Sequence, residues 1–265
     1  MKIAFIGAGN MAEAIVAGIV GNGIVEAGDI CVADISAERL EHFESGYGTQ
    51  ISTSNAAAVA DADVVVLSVK PQIFPSVWPE IVGALRPNAL VVSIMAGIPS
   101  KKIADGNPVR VVRVMPNTPA LVGEGAAGIA PGEFATESDV QVAQVLMGAV
   151  GVTAIVEEEE IDAVTALSGS GPAYVFYLLE GMLAAADRMG LDKAMSRELA
   201  LATVLGAVTL MQQTGEDADV LRKKVTSKGG TTEAAINTME ESGVKDSIVA
   251  ALLAAQARSR ELANG

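Results

Sequence analysis

The chain has 265 residues, half of them hydrophobic, with one cysteine and a formal net charge of -14. This length suits one large domain or two modest ones, and so acidic a chain without a Lys/Arg cluster argues against nucleic acid as a partner. A lone Cys31 excludes an internal disulfide, and the apolar stretches are interrupted by charge or shorter than the ~20 residues that span a bilayer, so a cytoplasmic protein without a membrane partner is expected.

The first twenty residues have the pattern of a nucleotide-binding turn. A buried strand is predicted at residues 3–6, and a helix near residues 11–21. Between them Gly7, Gly9 and Ala12 have the spacing G-x-G-x-x-A. Gly7 permits a tight turn, Gly9 lets the backbone approach a pyrophosphate, and Ala12 allows close packing of helix and strand. Because free N–H groups at a helix start favour phosphate, this segment predicts dinucleotide binding.

Residues 1–155 alternate between strand and helix patterns. The strands are predicted at residues 3–6, 30–33, 64–69, 90–95, 110–115 and 153–156. Helices are predicted near residues 11–21, 37–45, 56–60, 73–85, 101–104 and 137–150. Strands that are apolar on both faces and separated by helices indicate a parallel sheet covered on both sides, as in a Rossmann-like domain.

The second predicted strand ends at Asp34, whose side chain bears on the choice of cofactor. An acidic residue at this place normally accepts a hydrogen bond from a ribose 2′-OH, which favours NAD. Arg39 could instead reach a 2′-phosphate, and Asp34 could also belong to the cap of the following helix. The sequence therefore leaves the cofactor preference open.

Three further strand ends carry polar groups or turn residues. They are Ser68–Pro71, Ser93–Gly97 and Met115–Pro119. Proline and glycine at such points can be simple turn chemistry. Ligands of open α/β sheets bind at the carboxyl ends of the strands, so the clustering of these segments also predicts a binding crevice.

After Glu157 the strand patterns stop, which places a domain boundary near residue 155, with domains of residues 1–155 and 156–265. Helices are predicted at residues 161–190, 194–214, 219–225 and 232–262. The stretches 171–188 and 199–211 are apolar nearly all round, and such helices must be buried on every side. A second subunit is therefore expected to cover them, making the protein at least a dimer.

The segment 225–233 has two glycines and two threonines directly before a helix. Its N–H groups and hydroxyls could hold a carboxylate, although an ordinary helix cap explains the same residues. The run of four glutamates at 157–160 is typical of a solvated first turn. No metal site is predicted, and His42, the only histidine, lies away from the strand ends. A hydride acceptor that needs no strong acid, such as a carboxylated imine, fits this residue set.

Together these residues resemble the pyrroline-5-carboxylate reductase family over essentially the whole chain. The matching segments are residues 5–11, 68–71, 92–97, 115–119, 162–174 and 225–232. The resemblance implies a Rossmann domain followed by an all-helical dimerisation domain, assembled further into a decamer in some members. It also implies reduction of L-1-pyrroline-5-carboxylate to L-proline, the last step of proline biosynthesis, with NADP(H), or alternatively NAD(H), as cofactor.

The resemblance also assigns roles to individual residues. Its implied cofactor contacts, with Asp34 added from its position, are Ile6, Gly7, Ala8, Gly9, Asn10, Met11, Asp34, Asn55, Ser68, Val69, Lys70, Pro71, Ile94, Met95 and Ala96. Its implied substrate residues are Glu158, Ser227, Gly230, Thr231 and Thr232, and Thr232 comes nearest to a catalytic side chain. Two positions depart from the family pattern: Lys228 replaces a common proline, and Asp34 stands where many members carry Ser or Asn suited to NADPH.

Two other classes of protein share parts of this pattern. A β-hydroxy-acid dehydrogenase has the same two-domain plan but needs a catalytic lysine on the first long helix of its second domain, and residues 161–188 contain none. A dinucleotide-sensing protein without catalysis would leave the Gly-Gly-Thr-Thr segment idle.

Overall fold

A computed structural model describes residues 1–264, which form two compact units. The first comprises Met1–Pro172 together with the residues from Ala255 onward, and the second comprises Ala173–Ala254. The last strand ends at Ile155, yet the first unit continues to Pro172 and includes the end of the last helix. There the Ser259 hydroxyl donates a hydrogen bond of 2.6 Å to the Asp162 carboxylate. The division at residue 155 stays a prediction.

The first unit contains one sheet in the strand order β3-β2-β1-β4-β5-β6-β7-β8. The strands are β1 (Ile3–Ile6), β2 (Ile30–Ala33), β3 (Gln50–Ser52), β4 (Val64–Leu67), β5 (Leu90–Ser93), β6 (Arg110–Met115), β7 (Gly125–Pro131) and β8 (Gly151–Ile155). Pairing is parallel from β3 through β6, β7 is antiparallel to β6, and β8 is parallel to β7. The carboxyl ends of the six parallel strands therefore lie along one edge.

Apolar residues cover both faces of this sheet. In β1, Phe5 belongs to one buried cluster and Ile6 to the other, because successive side chains point to opposite faces. The helices that complete this unit are α1 (Asn10–Gly21), α2 (Ala37–Tyr47), α3 (Asn55–Val59), α4 (Phe74–Ile81), α5 (Ser100–Ala104), α6 (Glu137–Gly148) and α7 (Ile161–Val164). Burial on both faces explains why the strands lack an apolar-polar alternation.

The sequence patterns missed two strands, β3 and β7, and the reversed direction of both β7 and β8. The β3 strand has only three residues and lies at the edge of the sheet. The β7 strand reads Gly-Ala-Ala-Gly-Ile-Ala-Pro, a composition with weak strand propensity, so only pairing with its neighbours makes it extended.

The remaining helices are α8 (Gly171–Arg188), α9 (Lys193–Thr214), α10 (Ala218–Lys224), α11 (Thr231–Glu241) and α12 (Val244–Asn264). Two of the helices predicted as continuous are divided. A π-helical turn at Thr165–Gly169 precedes α8, and Gly243, with a left-handed φ of 63°, ends α11 before α12 begins. The predicted fold class, a Rossmann-like sheet followed by helices, is confirmed.

Helices α8 and α9 expose much of their apolar surface in the single chain. The exposed large apolar side chains are Val175, Phe176, Tyr177, Leu178, Met195, Leu199, Leu201, Leu205, Val208, Leu210 and Met211. By length and composition alone, α9 could cross a membrane, but core helices of water-soluble proteins pass the same test. An exposed apolar surface of this extent is typical of a protein interface.

The strands β7 and β8 begin with an unusually close backbone contact. Gly125 is paired with Gly151, and a Cβ atom on Gly151 would collide with the carbonyl group of Gly125. The N–H group of Gly125 donates a 2.8 Å hydrogen bond to the carbonyl oxygen of Val150. Two glycines are needed here because no side chain fits between the two backbones.

Candidate active site

The turn after β1 is held by the end of β4. Gly7 has φ 105°, and a Cβ atom there would lie 2.8 Å from the Ser68 carbonyl oxygen. The Ser68 hydroxyl donates to the Gly7 carbonyl oxygen at 2.7 Å. Both the backbone conformation and the close neighbour therefore require glycine at position 7.

The next glycine faces open space, as a pyrophosphate cradle requires. Gly9 is the N-cap of α1 and makes no side-chain cap, and no atom lies within 4 Å of the place where its Cβ would be. The first helical hydrogen bond runs from the Glu13 N–H to the Gly9 carbonyl, so the N–H groups of residues 10–12 remain available for an anion. Ala12 is fully buried against the sheet. These residues fit a dinucleotide.

Asp34 is turned towards this glycine-rich turn. One oxygen of its carboxylate accepts the Ala8 N–H at 2.7 Å, and the other accepts the Ser36 N–H at 2.9 Å. Ser36, not Asp34, is the N-cap of α2, with its hydroxyl accepting from the Arg39 N–H. The Asp34 carboxylate therefore contacts both the dinucleotide turn and the N-cap residue of α2, and its role towards the cofactor stays a prediction.

The other predicted cofactor contacts lie at or near the same sheet edge, since β2, β1, β4 and β5 are parallel neighbours. Lys70 is exposed and precedes a short 3-10 helix. After β5 the Met95 side chain is buried in the core, whereas Ala96 is exposed. Asn55 begins α3, and its amide donates to the Glu80 carboxylate at 2.8 Å. Because its side chain is buried, Met95 would contact a ligand through its backbone.

Asn117 connects two of the sequence motifs, a role that the sequence analysis did not find. Its side-chain oxygen accepts the Ala126 N–H at 2.8 Å, and its amide nitrogen donates to the Ser168 carbonyl at 3.0 Å. The side chain is 9% exposed. The motif Met115–Pro119 is thereby tied both to β7 and to the π-helical turn, and a buried amide with both ends bonded fixes both segments.

Glu158 is engaged within the first unit. Its carboxylate accepts the Ser100 N–H at 2.9 Å and the Ser100 hydroxyl, and it lies 3.3 Å from Nη1 of Arg113. Arg113 is almost fully buried, and its Nη2 has no hydrogen-bond partner among the described residues. Arg113, the arginine in the middle of the otherwise apolar strand segment Val-Val-Arg-Val-Met, is the signal that predicts such a buried pair. The substrate role of Glu158 stays a prediction.

The predicted substrate segment lies in the second unit, between α10 and α11. The Gly230 N–H donates to the Ser227 carbonyl at 3.0 Å, which closes a turn, and the Gly229 N–H donates to the Glu233 carboxylate at 2.7 Å. Within residues 1–264, the backbone N–H groups of Thr231 and Thr232 have no acceptor, because they begin α11. The free donors for an anion are therefore the N–H groups of residues 231–233, the first turn of α11, and not that of Gly230.

A side chain at Gly230 would require the Ser227 hydroxyl to move. A Cβ atom there would lie 2.5 Å from the Ser227 hydroxyl oxygen. Ser227 is exposed and Thr232 is half-buried, so both hydroxyl groups can reach a small molecule. This arrangement combines two hydroxyls with helix N-terminal donors, which suits a carboxylate that carries a second polar group.

Comparisons with known proteins agree over both units. Residues 158–262 match the family model described as pyrroline-5-carboxylate reductase dimerisation, and residues 2–97 match that of coenzyme F420-dependent NADP oxidoreductases. A pyrroline-5-carboxylate reductase of Pseudomonas aeruginosa is 44% identical over 265 residues, which covers 99% of this chain and 97% of the relative.

Solved structures show the same similarity in three dimensions. A pyrroline-5-carboxylate reductase from Coxiella burnetii superposes with a TM-score of 0.93 at 39% identity and covers 98% of each chain. A pyrroline carboxylate reductase from Plasmodium falciparum, solved with NADP bound, has a TM-score of 0.90 at 28% identity, covering 99% of this chain and 98% of the other.

Proposed function

The chain belongs to the pyrroline-5-carboxylate reductase family, and from that premise we propose how its residues serve the reaction. The protein is an NAD(P)H-dependent oxidoreductase that reduces L-1-pyrroline-5-carboxylate to L-proline, the last step of proline biosynthesis. The observation that carries this conclusion is the 44% identity to one such reductase over 265 residues, since it spans the glycine-rich turn and the Ser227–Thr232 segment alike.

The cofactor is assigned to the glycine-rich turn and the neighbouring strand ends. The open space over Gly9 and the free N–H groups of the first turn of α1 would hold the pyrophosphate. The segments Ser68–Pro71 and Ile94–Ala96 follow adjacent parallel strands and would contact the nicotinamide half. When bound, the reduced nicotinamide would supply the hydride that adds to the carbon of the substrate's C=N bond, the carbon that becomes C5 of L-proline.

The substrate carboxylate is assigned to the start of α11. The N–H groups of Thr231 and Thr232 are free, and the helix dipole favours an anion at this end. The Ser227 hydroxyl lies beside them over Gly230. The Gly230 N–H is already bonded to the Ser227 carbonyl oxygen, so Gly230 contributes no free donor to this site.

The ring nitrogen is assigned to the Thr232 hydroxyl. A protonated C=N bond that accepts hydride at carbon becomes a neutral secondary amine, so the transition state has no developing alkoxide that needs an acid. Thr232 then acts by orienting the ring and by hydrogen bonding its nitrogen. This role agrees with a chain whose one histidine, His42, is bonded to Glu13 on α1.

We propose further that the protein is a cytoplasmic homodimer. Support comes from the dimerisation family model over residues 158–262 and from the exposed apolar surfaces of α8 and α9. A second copy of this chain would remove those surfaces from water, which is the dominant favourable term in obligate association.

A direct assay tests the assigned function. Purified protein, free of host reductase, is mixed with L-1-pyrroline-5-carboxylate and either NADPH or NADH, and the loss of nicotinamide absorbance and formation of L-proline are both measured. We expect stoichiometric proline formation with at least one cofactor. Absence of proline with both cofactors would refute the assignment.

A further inference from the structure

The end of β2 carries two side chains with opposite preferences for the cofactor's adenosine ribose. A carboxylate here accepts from a ribose 2′-OH and repels a 2′-phosphate, whereas an arginine nearby accommodates the phosphate. This chain has both, in Asp34 and Arg39. Given the cofactor role proposed above, the bonds that each side chain already makes determine which of the two sets the cofactor preference.

Asp34 is held in place as a carboxylate. Its two oxygens each accept a backbone N–H, from Ala8 at 2.7 Å and from Ser36 at 2.9 Å. Two backbone hydrogen bonds of this kind fix the orientation of the carboxylate. Since one donor belongs to the glycine-rich turn itself, the negative charge cannot move away from the turn without breaking that bond.

Arg39 is already committed to other groups. Its Nε donates to the Ala8 carbonyl oxygen at 2.7 Å, and its Nη2 donates to the Glu13 carboxylate at 2.6 Å. The guanidinium carbon lies 5.4 Å from the centre of the Phe43 ring. The two nitrogens used form one edge of the planar group, so this edge is no longer available to bind a phosphate with two parallel bonds.

Glu13 is the group that keeps Arg39 in this position. Its other oxygen lies 2.8 Å from Nε2 of His42 and accepts from the Tyr47 hydroxyl at 3.1 Å. Burial raises the pKa of the Glu13 carboxyl, but the hydrogen bonds from Arg39, His42 and Tyr47 outweigh burial, so this pKa lies below its ordinary value. Glu13 is therefore charged and immobilised at neutral pH.

We propose that Glu13 is a specificity-determining residue: by binding Arg39 it withholds the guanidinium from a 2′-phosphate. With Arg39 neutralised and Asp34 left as the charge beside the turn, the protein prefers NADH to NADPH. The cofactor preference set at the end of β2 thus depends on Glu13 of α1 and on His42 and Tyr47 of α2, which hold Glu13 in place.

The test measures binding without turnover. Isothermal titration gives the dissociation constants of ADP-ribose and 2′-phospho-ADP-ribose for the wild type, E13A, R39M and the control E41A. Glu41 is exposed on α2, so E41A removes the same charge without touching Arg39. Wild type should bind ADP-ribose more tightly. E13A should bind the 2′-phosphate form about tenfold more tightly, the effect of freeing one charge-assisted contact, with ADP-ribose affinity unchanged.

The control variants separate this explanation from general charge effects. E41A should leave the ratio of the two affinities as in wild type, and equal shifts in E41A and E13A would overturn the proposal. If Arg39 already binds the phosphate in wild type, R39M will lower affinity for the 2′-phosphate form alone, which would also overturn it. R39M serves this purpose even if E13A fails to fold.

Steady-state assays keep this inference separate from the function. The proposal predicts a higher kcat/KM with NADH than with NADPH in wild type and a shift towards NADPH in E13A. Proline formation with both cofactors but preference for NADPH would refute the inference and leave the function intact. No proline with either cofactor, despite normal ADP-ribose binding, would refute the function alone.

Discussion

Removing the Glu158 carboxylate should destabilise the first unit, because it leaves Arg113 buried without its charged partner. The Arg113 side chain is 4% exposed and that of Glu158 is 23% exposed. Breaking a buried pair costs about 3–5 kcal/mol, and the partial exposure of Glu158 places this pair at the lower end. E158A should therefore lower the free energy of unfolding by about 3 kcal/mol, including the lost bond to the Ser100 N–H.

Two further variants identify the cause of that loss. E158Q retains an oxygen that can accept from Ser100 and Arg113, so it should cost about 1–2 kcal/mol. The double variant with E158A and R113M removes both charges, and it should recover to within about 1 kcal/mol of wild type. Such recovery is a coupling energy between the two positions, which loss of unrelated contacts would not produce.

The measurement is equilibrium unfolding in urea, followed by far-UV circular dichroism without cofactor. All variants are compared at one protein concentration, since association contributes to the apparent stability. A loss below about 0.5 kcal/mol in E158A, or simple additivity in the double variant, would refute the reasoning. If E158A instead keeps full stability and raises only the KM for the substrate, Glu158 is a substrate ligand, as the family resemblance implies.

Three other outcomes are expected. G7A should abolish measurable ADP-ribose binding, because the new methyl group would lie 2.8 Å from the Ser68 carbonyl oxygen, and unchanged binding by titration would contradict this. T232V should lower kcat/KM by a factor that corresponds to a loss of about 1–3 kcal/mol of transition-state stabilisation, with cofactor affinity unchanged. Wild-type kinetics in T232V would instead point to Ser227. Light scattering should show a dimer at micromolar concentration with no folded monomer, because an obligate interface of this kind buries roughly 2,000 Å² or more. A stable monomer would contradict the proposal that a second copy covers α8 and α9.

The sequence predicts the sheet well where strands are apolar on both faces. Residues 3–6, 30–33 and 110–115 were predicted with the bounds that the structure has. It fails at β7, whose glycines and alanines become a strand only through long-range pairing with β6 and β8. Propensity carries too little information there, because the stabilising contacts are made by residues distant in the chain.

For the site residues too, the sequence shows local requirements but not the contacts between distant residues. The need for glycine at position 7 was readable from spacing alone, and the structure adds its neighbour Ser68. The bonds of Asp34 to Ala8, of Arg39 to Glu13 and of Glu158 to Arg113 could not be derived, since each joins residues at least 26 positions apart. Polar side chains reveal that a partner is needed, but only the fold determines which partner is available.

The close contact between Gly125 and Gly151 affects how tolerance to mutation should be interpreted. Every replacement of glycine introduces a Cβ atom, and even alanine would collide with the opposite backbone at Gly151. Saturation mutagenesis scored by growth without proline should therefore mark both positions among the least tolerant in the chain. Neither glycine is assigned a role with substrate or cofactor. Their intolerance would result from the close spacing of two strands. Measurements of protein abundance would be needed to distinguish such glycines from residues that take part in the reaction.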